Sequence, residues 1–398
     1  MRRFLLPLLL LAVSLPACDL VRLPEDQEPA PAYPLRTLWT AKEDVKDSWG
    51  KPAYGEGRVF VAARGAEGGA GLVALNATTG ERLWRRDGLE TTDTPIVGDG
   101  KVFVVRDRAV AYDAATGQRL WQIELPASAY ASEPLFTHGM LVVGTEKNGT
   151  VMALDGATGA VRWSRTLGDP MWREGGKIYS MAVQDSELYA VLYQSLNRLS
   201  YEVTLYMVVL DAATGEEKRR SGPLAERPSS YPGRGLSFSP SNVYFSQDGQ
   251  DLLALDRTTL REAWRLRAGT SSTTFVPYEA PLVVGQRLFY ADRGDFAGER
   301  GMAVVALDAA TGHRVWQTLV PNTRSGMGQV LCNGMVLAQS YHSIDAVDMA
   351  TGAFRGNVYQ ADYKRRPAIV GAGLLIGENT YVYMVEGEVR AVACTPAD

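Results

Sequence analysis

One short motif returns seven times along the chain and constrains it more than any other feature. Residues 75–84 read LNATTGERLW, and the pattern recurs at Asp113, Asp155, Asp211, Asp256, Asp308 and Asp348. Counted from Asn76, the separations are 37, 42, 56, 45, 52 and 40 residues. Glycine stands four residues after the Asp or Asn in six of seven copies, with Leu260 the exception. Tryptophan stands eight residues after it in five of seven, with Arg219 and Gly356 the exceptions. An Asp at the start of a turn accepts hydrogen bonds from the next backbone amides, and glycine supplies the positive-φ position. Apolar, strand-like residues flank the motif, so it reads as a hairpin turn whose tryptophan packs against a neighbouring sheet. A second hairpin lies upstream, clearest at 94–104 (TPIVGDGKVFV), and Pro52, Pro134, Pro281 and Pro367 take the place of Pro95. Four short strands, A to D, in about 45 residues are the signature of a β-propeller blade.

The count of blades exceeds the count of motifs. Residues 367–393 hold A, B and C strands before the chain ends, and the missing D strand is available at the other terminus. There Arg36-Thr37-Leu38-Trp39-Thr40 matches Arg82-Leu83-Trp84-Arg85. The expected fold is therefore all-β: an eight-bladed propeller of four-stranded antiparallel blades, closed by N- and C-terminal strands sharing one blade. Closure removes exposed sheet edges that invite aggregation.

Ahead of the ring, residues 1–20 read MRRFLLPLLLLAVSLPACDL. Two arginines, an apolar run and then small residues make a secretory signal, too short for a membrane span. Leu15-Pro16-Ala17-Cys18 resembles the lipobox of bacterial lipoproteins, which implies acylation of Cys18. Residues 19–35 are rich in proline and acids, as in a flexible tether. The expected organisation is a signal peptide at 1–17, a tether at 18–35 and a propeller at 36–395. The protein is then expected in the cell envelope, lipid-anchored to a membrane, with the propeller outside the cytoplasm. Asp19 resembles an inner-membrane retention signal of enteric bacteria, and the choice between inner and outer membrane stays open.

The repeat resembles the PQQ-like β-propeller repeat across about residues 36–395. An eight-bladed ring behind a lipobox is similar to the propeller lipoproteins that act as scaffolds in the bacterial β-barrel (outer-membrane protein) assembly machinery. That resemblance implies no enzyme activity, no cofactor and envelope-protein partners, with a β-barrel assembly protein foremost. The same repeat family includes quinoprotein alcohol dehydrogenases, so the alternative is an enzyme or small-ligand binder using the central funnel.

The chemistry of that alternative is hard to find in the residues. Cys18, Cys332 and Cys394 are nowhere adjacent, whereas quinoprotein dehydrogenases typically carry a vicinal cysteine pair. Gln247-Asp248-Gly249 is an ordinary turn and lacks the donors of a calcium loop. His138, His313 and His342 fall in turns and connections, and neither a G-x-S-x-G elbow nor a Walker A motif accompanies them. The net charge is −4, and −6 without the two arginines of residues 1–17, which argues against a nucleic-acid partner. Cys332 and Cys394 map to turns on one side of adjacent blades. An inner A–B turn and an outer C–D turn could lie beyond disulfide reach, so the bond stays open at this point.

Departures from the repeat converge on one face. Strands alternate direction, so A–B and C–D turns share one face and B–C and D–A connections the other. Long B–C loops are expected at about 194–203 and 293–301, with wide D–A stretches at 168–176 and 222–235. Trp49 and Trp172, the tryptophans outside the blade pattern, map to D–A connections. Aromatics with arginine dominate protein–protein hot spots. The candidate partner contacts are accordingly Trp49, Trp172, Arg173, Tyr201, Arg234 and Phe296, with no catalytic or metal site. The competing reading is that these side chains only pack the long loops together.

Overall fold

A computed structural model describes residues 32–43, 45, 50–64, 69–89, 93–126, 132–145, 148–168, 176–195, 202–228, 235–247, 251–267, 280–296, 299–320, 326–361, 369, 371–385 and 387–396. The signal, Cys18 and most of the expected tether lie outside these residues. The described residues form eight antiparallel sheets and no helix. In blade 2 the order from the axis outward is Ile96–Gly98, Lys101–Val105, Arg108–Asp113 and Arg119–Glu124, and the other blades repeat it. Blade 8 consists of Leu374–Ile376, Thr380–Val385 and Glu388–Pro396, with Leu35–Lys42 as its outermost strand. The eight-blade closure expected from Trp39 is the one observed.

B and C strands are covered on both faces by neighbouring blades. They therefore read as nearly continuous apolar runs, such as MLVVG and DLLALD, with no strand-like alternation. Their largest side chains, including Phe60, Phe103, Tyr189, Tyr244 and Phe289, are fully buried between blades. D strands form the rim and alternate, as in RLWQIE at Arg119–Glu124.

The motif works as a staple between blades. Asp113 accepts from the amides of Ala115 (3.1 Å) and Thr116 (2.8 Å) and from the Thr116 hydroxyl (2.8 Å). The tryptophan of one blade then lies on the turn of the next. Trp39 donates its indole N–H to the Ala77 carbonyl at 2.9 Å, and Trp84 to that of Ala114 at 3.1 Å. A Cβ on Gly80 would stand 2.6 Å from the Trp39 ring, and one on Gly117 would stand 2.7 Å from that of Trp84. Glycine is thus required twice over, for its positive φ and for the ring above it.

Both kinds of exception follow from this pairing. Arg219 stands in the tryptophan position of blade 4, and its guanidinium donates to the Arg257 carbonyl at 3.2 Å. That carbonyl is the counterpart of the one a tryptophan would reach. No ring then covers the blade 5 turn, and Leu260 occupies the glycine position there, buried at φ 54°. Gly356 takes the tryptophan position in blade 7, whose neighbour, blade 8, draws its D strand from the other end of the chain and has no motif turn.

Cys332 and Cys394 form a disulfide, with Cα atoms 5.0 Å apart. The separation feared from strand order does not arise because blades stack face to face. Both cysteines lie in one buried cluster with Leu337, Tyr381 and Val392. The bond joins blade 7 to the blade in which the termini meet.

Candidate partner-binding face

The B–C hairpins set the relief of one face. In blades 2 and 3 they are short, with five paired positions each. In blade 4, Glu187–Ser195 and Glu202–Asp211 pair over nine positions, out to Ser195 and Val203. In blade 6, Arg287–Phe296 and Glu299–Asp308 pair over ten, out to Phe296 and Glu299. The stretch 293–301, expected as a loop, is therefore mostly strand. Its glycines and charges suggest a loop, yet a ribbon projecting from the ring needs no apolar face to keep its backbone ladder. Ala225–Pro228, inside the expected D–A loop 222–235, likewise forms a fifth strand, pairing with Glu202–Leu205 and bracing the blade 4 hairpin.

The D–A connections are pinned at both feet. Gly149, in the B–C turn of blade 3, donates its amide to the Gly176 carbonyl at 2.7 Å, and the Gly168 amide reaches the Asn148 carbonyl at 3.3 Å. These contacts hold both ends of 169–175, the stretch containing Trp172 and Arg173. The Glu43 amide reaches the Gly387 carbonyl at 3.1 Å, and the Gly387 amide reaches the Val45 carbonyl at 3.3 Å, beside the stretch with Trp49. The Gly235 amide donates to the Ser180 hydroxyl at 2.9 Å, just after Arg234. Trp49, Trp172, Arg173, Tyr201 and Arg234 themselves lie outside the described residues. Phe296 is placed only by its backbone, at the end of the blade 6 ladder.

The opposite face is uniform and charge-tuned. A hydrogen bond from Arg162 holds the Asp155 carboxyl down at about 2, and one from Lys218 does the same for Asp211. The Arg355 guanidinium lowers Asp348 further in the same direction. In Asp308 the Thr311 hydroxyl is the main cause of a downward shift. These are carboxylates fixed in turns, not acids poised for proton transfer. No group of three or more His, Cys, Asp or Glu that could hold a metal occurs among the described residues.

Sequence reasoning missed the fifth strand and the regular hairpin of blade 6. Length alone signalled the blade 6 hairpin, which falls in the 52-residue spacing, whereas the fifth strand falls in the ordinary 45-residue spacing from Asp211 to Asp256 and had no such signal.

Comparison with known proteins follows the same architecture. A family model described as outer membrane protein assembly factor BamB matches residues 36–222 and 206–398. The outer membrane protein assembly factor BamB of Bordetella pertussis is 29% identical over 143 residues, 34% of this chain and 35% of that protein. Its counterpart in Yersinia pestis is 31% identical over 135 residues, 30% of this chain and 33% of that protein. The matched region thus spans about a third of the length of these curated relatives. Among solved structures, BamB from Moraxella catarrhalis superposes with a TM-score of 0.62 at 16% identity, covering 90% of this chain and 97% of that one. The quinohemoprotein alcohol dehydrogenase of Comamonas testosteroni gives 0.70 at 13% identity, covering 92% and 77%. At such identities the structural likeness shows the propeller fold alone.

Proposed function

The chain belongs to the outer membrane protein assembly factor BamB family, and from that premise we propose that it is a non-enzymatic scaffold of the cell envelope, serving outer-membrane protein assembly. The observation that carries this reading is the family match along the whole ring, 36–398. In our reading Cys18 is acylated and anchors the propeller outside the cytoplasm. Two or three acyl chains give stable attachment, at ~0.8 kcal/mol per buried CH₂.

The partner, an envelope protein such as a β-barrel assembly protein, docks on the B–C/D–A face. That assignment is supported by where the blades depart from their repeat. On the other face the Asp or Asn of the motif holds its own turn in all seven copies, whereas the two long hairpins serve no closure of the ring. Trp49, Trp172, Arg173, Tyr201, Arg234 and Phe296 are the proposed contacts, aromatics and arginines of the kind that anchor interfaces.

The test is photo-crosslinking in the intact envelope, in the lipid-labelled protein and in Cys18→Ala. A photoreactive residue at Phe296 or Trp172 is expected to capture a partner, and one at Thr116 or Ala310 is not. Cross-links confined to Thr116 and Ala310 would reverse the assignment of the face. Undiminished lipid labelling of Cys18→Ala would remove the anchor.

A further inference from the structure

The rim of the ring carries a charge the rest of the chain does not. The eight outermost strands hold fifteen Lys or Arg against four Asp or Glu, in a chain of net charge −4. One strand inward the balance reverses, with three against eleven. In blades 3, 4, 5 and 7 the two layers neutralise each other, through Arg162–Asp155, Lys218–Asp211, Arg265–Asp251 and Arg355–Asp348.

Blades 8, 1 and 2 in succession, and blade 6 by itself, lack that compensation from the motif turn; in blade 6 Asp308 is held by Thr311 and Arg314 donates to the Gln317 side chain. Blade 1 has Asn76 in place of the aspartate, blade 8 has no motif turn, and Asp113 of blade 2 is held by Thr116. Arg86 donates to the Gly117 and Thr116 carbonyls and Arg119 to the Gln122 side chain, all neutral acceptors. Arg36 stands exposed on the outermost strand of blade 8. The carboxylates nearby are already engaged, Asp87 by Arg85, Glu43 by Arg82 and Arg85, and Glu124 by Arg108.

The same three blades expose a large apolar side chain beside these cations. Leu38, Leu83 and Leu120, each just before its blade's tryptophan, are 38%, 42% and 45% exposed. The tryptophan faces the next blade, so its predecessor points the other way, where rim strands splay apart. Blades 4, 5 and 7 expose no such residue among those described. Val161 in blade 3 stands beside the paired Arg162, and blade 6 exposes Val315 and Leu319 alone on the far side of the ring, so blades 8, 1 and 2 are set apart as three uncompensated blades in succession. The chain also reaches the ring at this rim. Ala32 bridges to Asn357 on the outer strand of blade 7, and the Tyr33 amide donates to the Asn357 carbonyl at 2.8 Å. Thirteen residues separate Cys18 from Ala32, a reach of at most ~50 Å.

We infer that the rim of blades 8, 1 and 2 docks edge-on against an anionic bilayer surface. Arginines interleaved with leucines at one edge are the composition of interfacial membrane contacts, in which cations meet acidic headgroups and apolar tips enter the headgroup boundary. Edge-on docking leaves both faces of the ring open, so the proposed partner face stays accessible. The inference takes from the proposed anchor only which edge is held nearest the membrane.

The experiment therefore uses the chain from residue 19, which keeps every described strand and lacks the anchoring cysteine, so its result is independent of acylation at Cys18. Flotation is measured with vesicles of phosphatidylcholine alone and of phosphatidylcholine mixed with phosphatidylglycerol. Binding is expected only to the mixed vesicles, and it is expected to fall at ~1 M salt, where screening acts within ~3 Å. Arg36→Gln and Arg119→Gln should each weaken it about fivefold. Arg267→Gln and Arg314→Gln, on blades 5 and 6, should leave it unchanged. Failure to float with the mixed vesicles, or an equal loss from the blade 5 and 6 variants, overturns the inference. Capture of an acidic protein through Arg36 and Arg119 without vesicle binding overturns it too, and reassigns the rim to a protein partner.

Discussion

On the face that carries the A–B and C–D turns, seven blades repeat one Asx turn, and its glycine sits under the preceding blade's tryptophan wherever that ring is present. On the opposite face, blades 2 and 3 end in five-position hairpins while blades 4 and 6 extend theirs to nine and ten. The first face is under a packing constraint that spans blades, so an exception in one blade is answered in the next. The second face is not, because a hairpin beyond the ring contacts little that must close. Uniformity therefore marks the part that holds the ring together, and irregularity marks the part free to acquire a partner.

The strongest way to break this contrast is to truncate one aromatic from each side. Trp39 is 6% exposed and hydrogen-bonded to the neighbouring blade, so Trp39→Ala should cost ~3–5 kcal/mol in chemical denaturation. Phe296→Ala, at the tip of the blade 6 ladder, should change stability by less than ~0.5 kcal/mol while reducing partner capture. Similar losses of stability from the two variants would mean that the hairpins also hold the ring.

A smaller effect tests whether the exceptions on the turn face are coupled. Leu260→Gly removes a buried leucine and should destabilise the natural ring. With Arg219→Trp, the glycine would instead receive the new indole. A double-mutant cycle should show a favourable coupling of ~0.5–3 kcal/mol between the two changes. Strict additivity would mean that Leu260 is there for reasons unrelated to the missing tryptophan.

The smallest effect is set by pH. The folded-state carboxyls of Asp155 and Asp211 titrate at about 2, below the ~3.9 of an unfolded aspartate. Folding is therefore favoured by their ionised forms above pH ~4, and this contribution disappears as pH falls through about 2. Melting temperature should hold from neutral pH down to about 5 and then decline. Asp155→Asn with Asp211→Asn should flatten that decline, as Asn76 shows that an amide can hold the same turn, through the Thr78 and Thr79 amides. An unchanged acid profile would separate the uniformity of this face from its charge.

The blade count, the turn chemistry and the use of Trp39 to close blade 8 were legible in the chain, because each depends on residues within one hairpin or on a motif repeated often enough to align. The candidate face was legible only as a side of the ring, from unequal spacings. Its ribbon in blade 6 and its fifth strand in blade 4 were not, since glycines and charges in 293–301 and 222–235 carry no pattern that separates a projecting strand from a loop.

By itself, then, the sequence determined an all-β ring of eight blades with one recurrent turn geometry, since hydrogen bonds from an aspartate to its own turn and a positive-φ glycine are local matters. Only the tertiary structure decided what crosses between blades. It brought Cys332 to Cys394, placed Leu260 next in turn to Arg219, and set Arg86 and Arg119 on neutral acceptors at the rim. Those outcomes turn on which side chains meet when separate sheets stack face to face, and strand order within a blade carries no information about that.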